Sequence, residues 1–270
     1  MLPELFHIGP IPIRSYGLML AISFLLGIWY IWYVSRRDGK PFDRFLTIAY
    51  IMVIGGLVGA RLAYVLLHLS EFSGHWTDVF NPFHSGTFGI AGMNLYGGIL
   101  LAIIGAAVYC LLTGMSILDV FDYFAPTVGI GLIFTRIGCF MNGCCFGTPC
   151  NLPWAVKFPP GSIPYSVFGG QTLHPSQLYS SLYGVLLFVI LHFMLRNRRF
   201  FGQVVAVYFM VEAFFRFIIE YVRYYENAMI IPLGPIHPTF NQIVSVLLFM
   251  LGLAIYLVQR GRLPKSEALA

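Results

Sequence analysis

The sequence predicts an all-α, polytopic membrane protein with about seven transmembrane helices, the N-terminus outside and the C-terminus inside. Three observations predict it. Of 270 residues, 58% are hydrophobic and only 10% are charged, whereas a soluble domain carries about 25% charged residues. Too few charges exist to cover a water-facing surface. The apolar residues fall into runs of close to the ~20 residues that a helix needs to cross a bilayer. The basic residues, in turn, collect in alternate short loops, as the positive-inside rule requires.

The expected spans are Tyr16–Val34, Phe45–Leu67, Leu95–Leu112, Val120–Phe140, Leu178–Leu195, Val204–Val222 and Thr239–Val258. Ahead of the first, Met1–Ser15 carries Pro3, Pro10 and Pro12. The run behind it is long enough to span, so no cleavable signal peptide is expected. Gly55, Gly59 and Ala60 in the second run allow close packing of helices in lipid. No internal repeat or low-complexity segment is evident. The chain therefore reads as a single transmembrane helical domain over 1–270, with periplasmic loops near 68–94, 141–177 and 223–238.

Direction follows from the loops. Arg36, Arg37, Lys40 and Arg44 fill the first, Arg196, Arg198 and Arg199 the fifth, and Arg260, Arg262 and Lys265 the tail. These belong on the cytoplasmic side. The pI near 9.0 does not point to nucleic acid, because the basic residues sit between apolar spans rather than in a solvated patch.

Six basic residues remain of the 16: Arg14, Arg61, Arg136, Lys157, Arg216 and Arg223. Each falls outside the membrane or in the outward half of its span. A charge at the centre of a membrane helix costs about 2.5–3.5 kcal/mol on insertion scales. Arg61, Arg136 and Arg216 on three different helices therefore ask for a shared reason. Snorkelling or structural pairing with acids would serve for one arginine; for the group an anion site is the better reading.

Four stretches carry chemistry. On the sixth span Glu212, Arg216 and Glu220 recur every four residues and share a face, with Arg223 nearby. Glu220 is placed to orient Arg216 toward a phosphate, whose oxygens match the guanidinium fork. In Thr135 through Gly147, glycines at 138, 143 and 147 let a helix end break into a loop. There Arg136 and Asn142 offer side-chain donors to a phospholipid headgroup. Ala91 through Gly98 brings Tyr96, Gly97 and Gly98 into the third span, and Leu173 through Tyr179 brings His174 and Gln177 into the fifth.

Cys139, Cys144, Cys145 and Cys150 crowd the second stretch. Their spacing lacks the paired C-x₂-C knuckles of zinc modules, and no metal site is expected. An oxidising exterior would permit a disulfide, and small apolar packing is the default for any single cysteine.

Together these stretches resemble the bacterial prolipoprotein diacylglyceryl transferases. Arg136-Ile137-Gly138-Cys139-Phe140-Met141-Asn142-Gly143 through Gly147 looks like that family's signature. Collinear with it run Ile13 through Leu18, Gly59 through Leu62, Asp122 through Pro126, Pro153 through Val156, His174 through Tyr179, Arg216 with Glu220, and Thr239, Gln242 and Ser245. The resemblance implies transfer of the diacylglyceryl group of phosphatidylglycerol to the lipobox cysteine of a preprolipoprotein. A thioether forms and glycerol phosphate leaves, as the first step of lipoprotein maturation at the periplasmic side of the bacterial inner membrane.

It implies Arg136, Arg216, Glu220 and Tyr96 as the catalytic set. Tyr16, Arg61, Asn142, Gly143, Gly147, Gly97, Gly98, His174 and Gln177 are implied for substrate binding. The expected partners are phosphatidylglycerol, the signal-peptide region of the preprolipoprotein and the bilayer, with no nucleic acid and no cofactor. The family commonly has His where this chain has Tyr96, and Tyr where it has Glu212. Tyr96, with a reference pKa of about 10, is a poor base, and Glu212, Glu220, His174 and hydroxide stand as acceptors of the thiol proton. The rival expectation is a transporter or lipid-binding scaffold that holds an anionic headgroup without turnover.

Overall fold

The computed structural model describes residues 1–9, 11–72, 79, 92–225 and 238–262. Most of the expected loops near 68–94 and 223–238 therefore lies outside the described residues. Strands β1 (Glu4–Ile8) and β2 (Ile11–Arg14) form an antiparallel ribbon. Helices α1 (Ser15–Arg37), α2 (Phe42–Leu67), the single turn α3 (Leu69–Phe72), α4 (Leu95–Thr113) and α5 (Ile117–Asn142) follow. A second ribbon, β3 (Val156–Lys157) with β4 (Thr172–Leu173), encloses α6 (Ile163–Phe168). Helices α7 (Ser176–Arg196), α8 (Gln203–Ile219) and α9 (Phe240–Gly261) complete the chain.

Among the described residues six helices are long and apolar enough to cross a membrane: α1, α2, α4, α5, α7 and α9. This is a polytopic helical membrane protein. The remaining expected span corresponds to α8, whose 17 residues give about 26 Å, at the short end of what crosses a bilayer. It stops at Ile219, three residues before the expected Val222. The backbone beyond is drawn aside, because the Val222 carbonyl accepts from Thr148 N and Tyr224 N donates to the Phe146 carbonyl.

Contacts divide the chain into two compact units, Met1–Tyr30 with Phe121–Ala270, and Ile31–Val120. In the second unit α2 and α4 pack through glycine. A Cβ on Gly59 would stand 2.5 Å from the Gly97 carbonyl oxygen, and one on Gly98 would stand 2.7 Å from that of Gly56. In lipid this close approach replaces the hydrophobic effect as the source of helix association. Asn94 starts α4 by accepting from Gly97 N at 3.1 Å, and Gly114, in the left-handed conformation, ends it. Lys40 Nζ pairs with Asp119 at 2.9 Å, tying the turn after α1 to the start of α5.

In the larger unit, α5 meets α1 at Gly138, where an added Cβ would lie 3.1 Å from the Tyr16 Cα. It meets α7 through Gly129, against the Phe188 backbone. Helices α8 and α9 close on each other at Gly252, beneath the Ala206 carbonyl. One carboxylate sets the far end of this unit. Asp122 is fully buried and accepts from Arg198 Nη1 at 2.9 Å, Gly202 N at 2.8 Å and Val205 N at 2.9 Å. Gly202 is the N-cap residue of α8 and has no side chain to cap with. Asp122 supplies the missing acceptor from another helix, and its charge suits the helix N-terminus.

Removing Asp122 would leave Arg198 and two amide N–H groups without their acceptor. Asp122→Ala is expected to cost about 3–5 kcal/mol, read as a lower unfolding temperature of the detergent-solubilised protein. Asp122→Asn, which keeps an acceptor oxygen, is expected to fall between alanine and wild type. Equal thermal stability of all three would refute the capping role.

Candidate active site

The signature loop is built by the end of α5. Gly143 takes φ +81°, and both Gly143 N and Cys144 N donate to the Cys139 carbonyl, at 2.9 and 3.1 Å. This is a Schellman stop, which needs a left-handed residue after the helix. The next backbone is held from α7, where Gln177 Nε2 donates to the Cys144 carbonyl and Ser176 Oγ to that of Cys145, each at 2.8 Å. Gln177 is fully buried and its Oε1 has no partner among the described residues. Cys145 itself has φ 60°, unusual for a residue with a Cβ.

Gly147 lies at a crossing of three backbones. An added Cβ would stand 2.6 Å from His174 Cβ, His174 O and Val222 O alike. The crossing places Arg223 beside the loop through a bridge to Gly147. Phe146, Phe158 and Leu173 form a small buried cluster above it, with Tyr224 stacked on Phe146 at 5.5 Å. His174 spends its side chain on Tyr179, with Nδ1 3.3 Å from a hydroxyl that also accepts from Trp154 Nε1 at 2.7 Å. Neither Tyr179 nor Trp154 was marked for this from sequence.

The charged face lies in the same unit. Glu220 is buried and sits at the C-cap of α8. Its Oε1 accepts from the Tyr225 hydroxyl at 2.7 Å and pairs with Arg216 Nη2 at 3.2 Å. Its Oε2 accepts from Thr239 Oγ1 at 2.9 Å and from Asn241 Nδ2 at 3.5 Å. Thr239 is also the N-cap of α9, in a full capping box with Gln242, so this carboxylate joins the end of α8 to the start of α9. Burial pushes the Tyr225 hydroxyl up to about 12, against the pull of Arg216 and Arg223. It stays protonated and keeps donating to Glu220. Glu220 and Arg216 thus form an ion pair.

Arg136, on α5, makes no hydrogen bond or ion pair among the described residues. It lies within electrostatic reach of Tyr183, Cys145, Cys139 and Glu212. Glu212 and Tyr183 are each within reach of both Arg136 and Arg216. The Tyr183 hydroxyl donates to Glu212 Oε1 at a long 3.4 Å, and Glu212 Oε2 is buried with no partner among the described residues. Sequence reading passed over Tyr183. The available signal was a tyrosine within an apolar span, whose hydroxyl needs a partner once buried.

Arg223 Nε is likewise buried and unpartnered among the described residues, and its guanidinium lies 4.8 Å from the Tyr225 ring centre. The neighbouring Cys139 and Cys144 thiols, then the charges of Arg223 and Arg136, pull the Cys145 thiol below its ordinary value. The amide of Asn142 lies against the Cys144 sulfur. Tyr16, at the start of α1, is 41% exposed and close enough to feel Arg136 and all three of these cysteines.

Among the expected site residues, then, the larger unit brings together Tyr16, Arg136, Asn142, Gly143, Gly147, His174, Gln177, Arg216 and Glu220. Arg61, Tyr96, Gly97 and Gly98 belong to the other unit. There Arg61 is buried, donates to the carbonyls of Val79 and Gly92, and sits over the Tyr64 and Phe72 rings. Gly97 and Gly98 face α2, which accounts for the absence of side chains at both. Tyr96 is 52% exposed.

Comparison with known proteins gives this arrangement its context. A model of the prolipoprotein diacylglyceryl transferase family matches residues 3–258. The chain is 34% identical to the phosphatidylglycerol–prolipoprotein diacylglyceryl transferase of Pseudoalteromonas translucida, over 82% of this chain and 79% of that one. It is 30% identical to the enzyme of that name from Campylobacter hominis, over 94% and 90% of the two chains. To that of Nitratidesulfovibrio vulgaris it is 33% identical, over 96% and 94%. The matched residues include the arginine helices, the Schellman loop and the cap of α9, and so the chain belongs to the prolipoprotein diacylglyceryl transferase family.

Proposed function

We propose that this chain transfers the diacylglyceryl group of phosphatidylglycerol to the thiol of the lipobox cysteine in preprolipoproteins, in the bacterial inner membrane and from its periplasmic side. The observation that carries the reading is Arg136, a half-buried guanidinium with its donors uncommitted among the described residues, which shares the neighbours Glu212 and Tyr183 with an Arg216 whose partners among those residues engage only one of its nitrogens. A cation kept in an apolar protein without a carboxylate of its own calls for an anionic ligand.

In the reaction the cysteine sulfur bonds to the glyceryl carbon that bears the phosphate. The carbon–oxygen bond breaks, and its electron pair stays on glycerol phosphate, which passes from one negative charge to two. Arg136 and Arg216 hold that developing charge where it appears, with Glu220 as the positioning residue for Arg216. Tyr16 and Asn142 border the same space and orient the headgroup. Phosphatidylglycerol enters laterally from the bilayer, and the signal-peptide region of the substrate protein docks from outside.

The thiol proton needs an acceptor, because a free cysteine with pKa about 8.5 is mostly protonated at neutral pH. Glu220 has both oxygens engaged and His174 is held by Tyr179. Glu212 keeps one oxygen open between the two arginines, and we assign the proton to it. It then passes to the departing phosphate.

Arg136→Ala and Arg216→Ala are each expected to lower transfer about 100- to 1000-fold, while the protein still inserts. The assay follows thioether formation on a lipobox peptide with labelled phosphatidylglycerol. Near-normal turnover in either variant would remove the phosphate clamp, and lipid binding without thioether in the wild type would favour the scaffold reading.

Glu212→Gln is expected to lose about 100-fold at pH 7 and to recover as pH rises toward 9, where the substrate thiol ionises unaided. Tyr96→Phe is expected to keep the wild-type pH profile. A Glu212→Gln profile parallel to wild type would return the proton acceptor to the other candidates.

A further inference from the structure

Three cysteines in the signature loop have no part in the proposed transfer, and their placement is specific. The Sγ atoms of Cys139, Cys144 and Cys145 all lie within 4.8 Å of one another, and none is in a disulfide. Three sulfurs around one ion at the usual metal–sulfur length of about 2.3 Å stand about 4.0 Å apart, so the set needs little movement to converge. The Schellman stop at Gly143 turns the chain so that Cys144 and Cys145 come back over Cys139. Cys145 is held in its left-handed conformation by Ser176, which donates to its carbonyl at 2.8 Å.

Among the described residues no fourth Cys, His, Asp or Glu joins the cluster. Zinc sites held by protein alone use four ligands. Soft thiolates select Cu(I) as well as zinc, and Cu(I) is satisfied by three sulfurs in a plane. Charge agrees with this choice. Three thiolates and one monovalent cation leave two negative charges, and the two arginines whose charges act on Cys145 are Arg223 and Arg136.

We propose that Cys139, Cys144 and Cys145 form a three-coordinate site for a thiophilic monovalent cation, Cu(I), at the end of α5. Binding releases the three thiol protons and leaves the oxidation state of the metal unchanged. The metal–thiolate centre draws on Arg136, so its occupancy inhibits transfer. That consequence alone rests on the proposed function; the binding itself does not.

The test uses full-length protein in detergent, kept anaerobic with a non-thiol reductant, and Cu(I) alone as the probe. Competition against a coloured Cu(I) chelator is expected to show one tightly held equivalent, and X-ray absorption of the wild-type protein to show three sulfurs at a single distance. Cys144→Ser and Cys145→Ser are each expected to weaken retention by more than about 100-fold, and Cys150→Ser to leave it unchanged. Loss of copper to the chelator by the wild type, a two-sulfur shell, or equal retention by the serine variants would overturn the site. If copper binds and transfer continues at full rate, the site stands and the inhibition falls. If Arg136→Ala abolishes transfer while copper still binds, both readings survive separately.

Discussion

The Glu220 carboxylate is buried where α8 gives way to loop, and four groups from three stretches of chain converge on it: Arg216, Tyr225, Thr239 and Asn241. An anion in such a place must be supplied with donors, since leaving it bare costs far more than any single hydrogen bond returns. Because three neutral donors share the task, Arg216 is not consumed by it and engages Glu220 through one nitrogen. The rest of the site depends on this division. An arginine fully neutralised by its acid would have nothing left for a phosphate, and an arginine with no acid would be poorly fixed. Arg136 represents the other solution, in which neighbouring polar groups give it electrostatic company without an ion pair.

The opposite end of the larger unit obeys the same constraint with a different outcome. Asp122 accepts from Arg198 and from two amides at the start of α8. The contrast separates two kinds of buried charge in this protein. Asp122 accepts from three donors, whereas Glu212 and Arg223 retain buried atoms that no described residue satisfies.

Much of this was legible in the sequence, and for identifiable reasons. Span positions follow from runs of apolar residues, and the ends agree to within a few residues because Arg36, Gly114 and Thr239 mark them locally. Arg136, Arg216 and Glu220 were legible because a charge in an apolar helix is conspicuous and a four-residue spacing defines a face. What escaped was long-range. Tyr183 and Asn241 meet their partners 29 and 21 residues away, and nothing in their immediate neighbours announces it. The convergence of the cysteines escaped in the same way. Linear spacing argued against a metal, yet the reversal at Gly143 brings Cys144 and Cys145 back onto Cys139. The glycines at 97 and 98 looked ready for a ligand, and they face a helix instead.

The crossing at Gly147 also bears on how sequences of this kind vary. Gly147 N bonds to the His174 carbonyl, His174 N to the Thr148 carbonyl, and Thr148 N to the Val222 carbonyl, so the chain is pinched at both ends of the stretch from 149 to 173. Everything between hangs from one fixed neck. Lengthening a loop whose ends are already joined costs only about 0.6 kcal/mol per doubling, and the neck keeps that change from reaching α5 or α7. Apart from Phe158, packed on Phe146, and Trp154, bonded to Tyr179, the excursion is therefore free to grow, shrink or change its surface while α5 and α7 stay in place, which makes it a natural place for divergence.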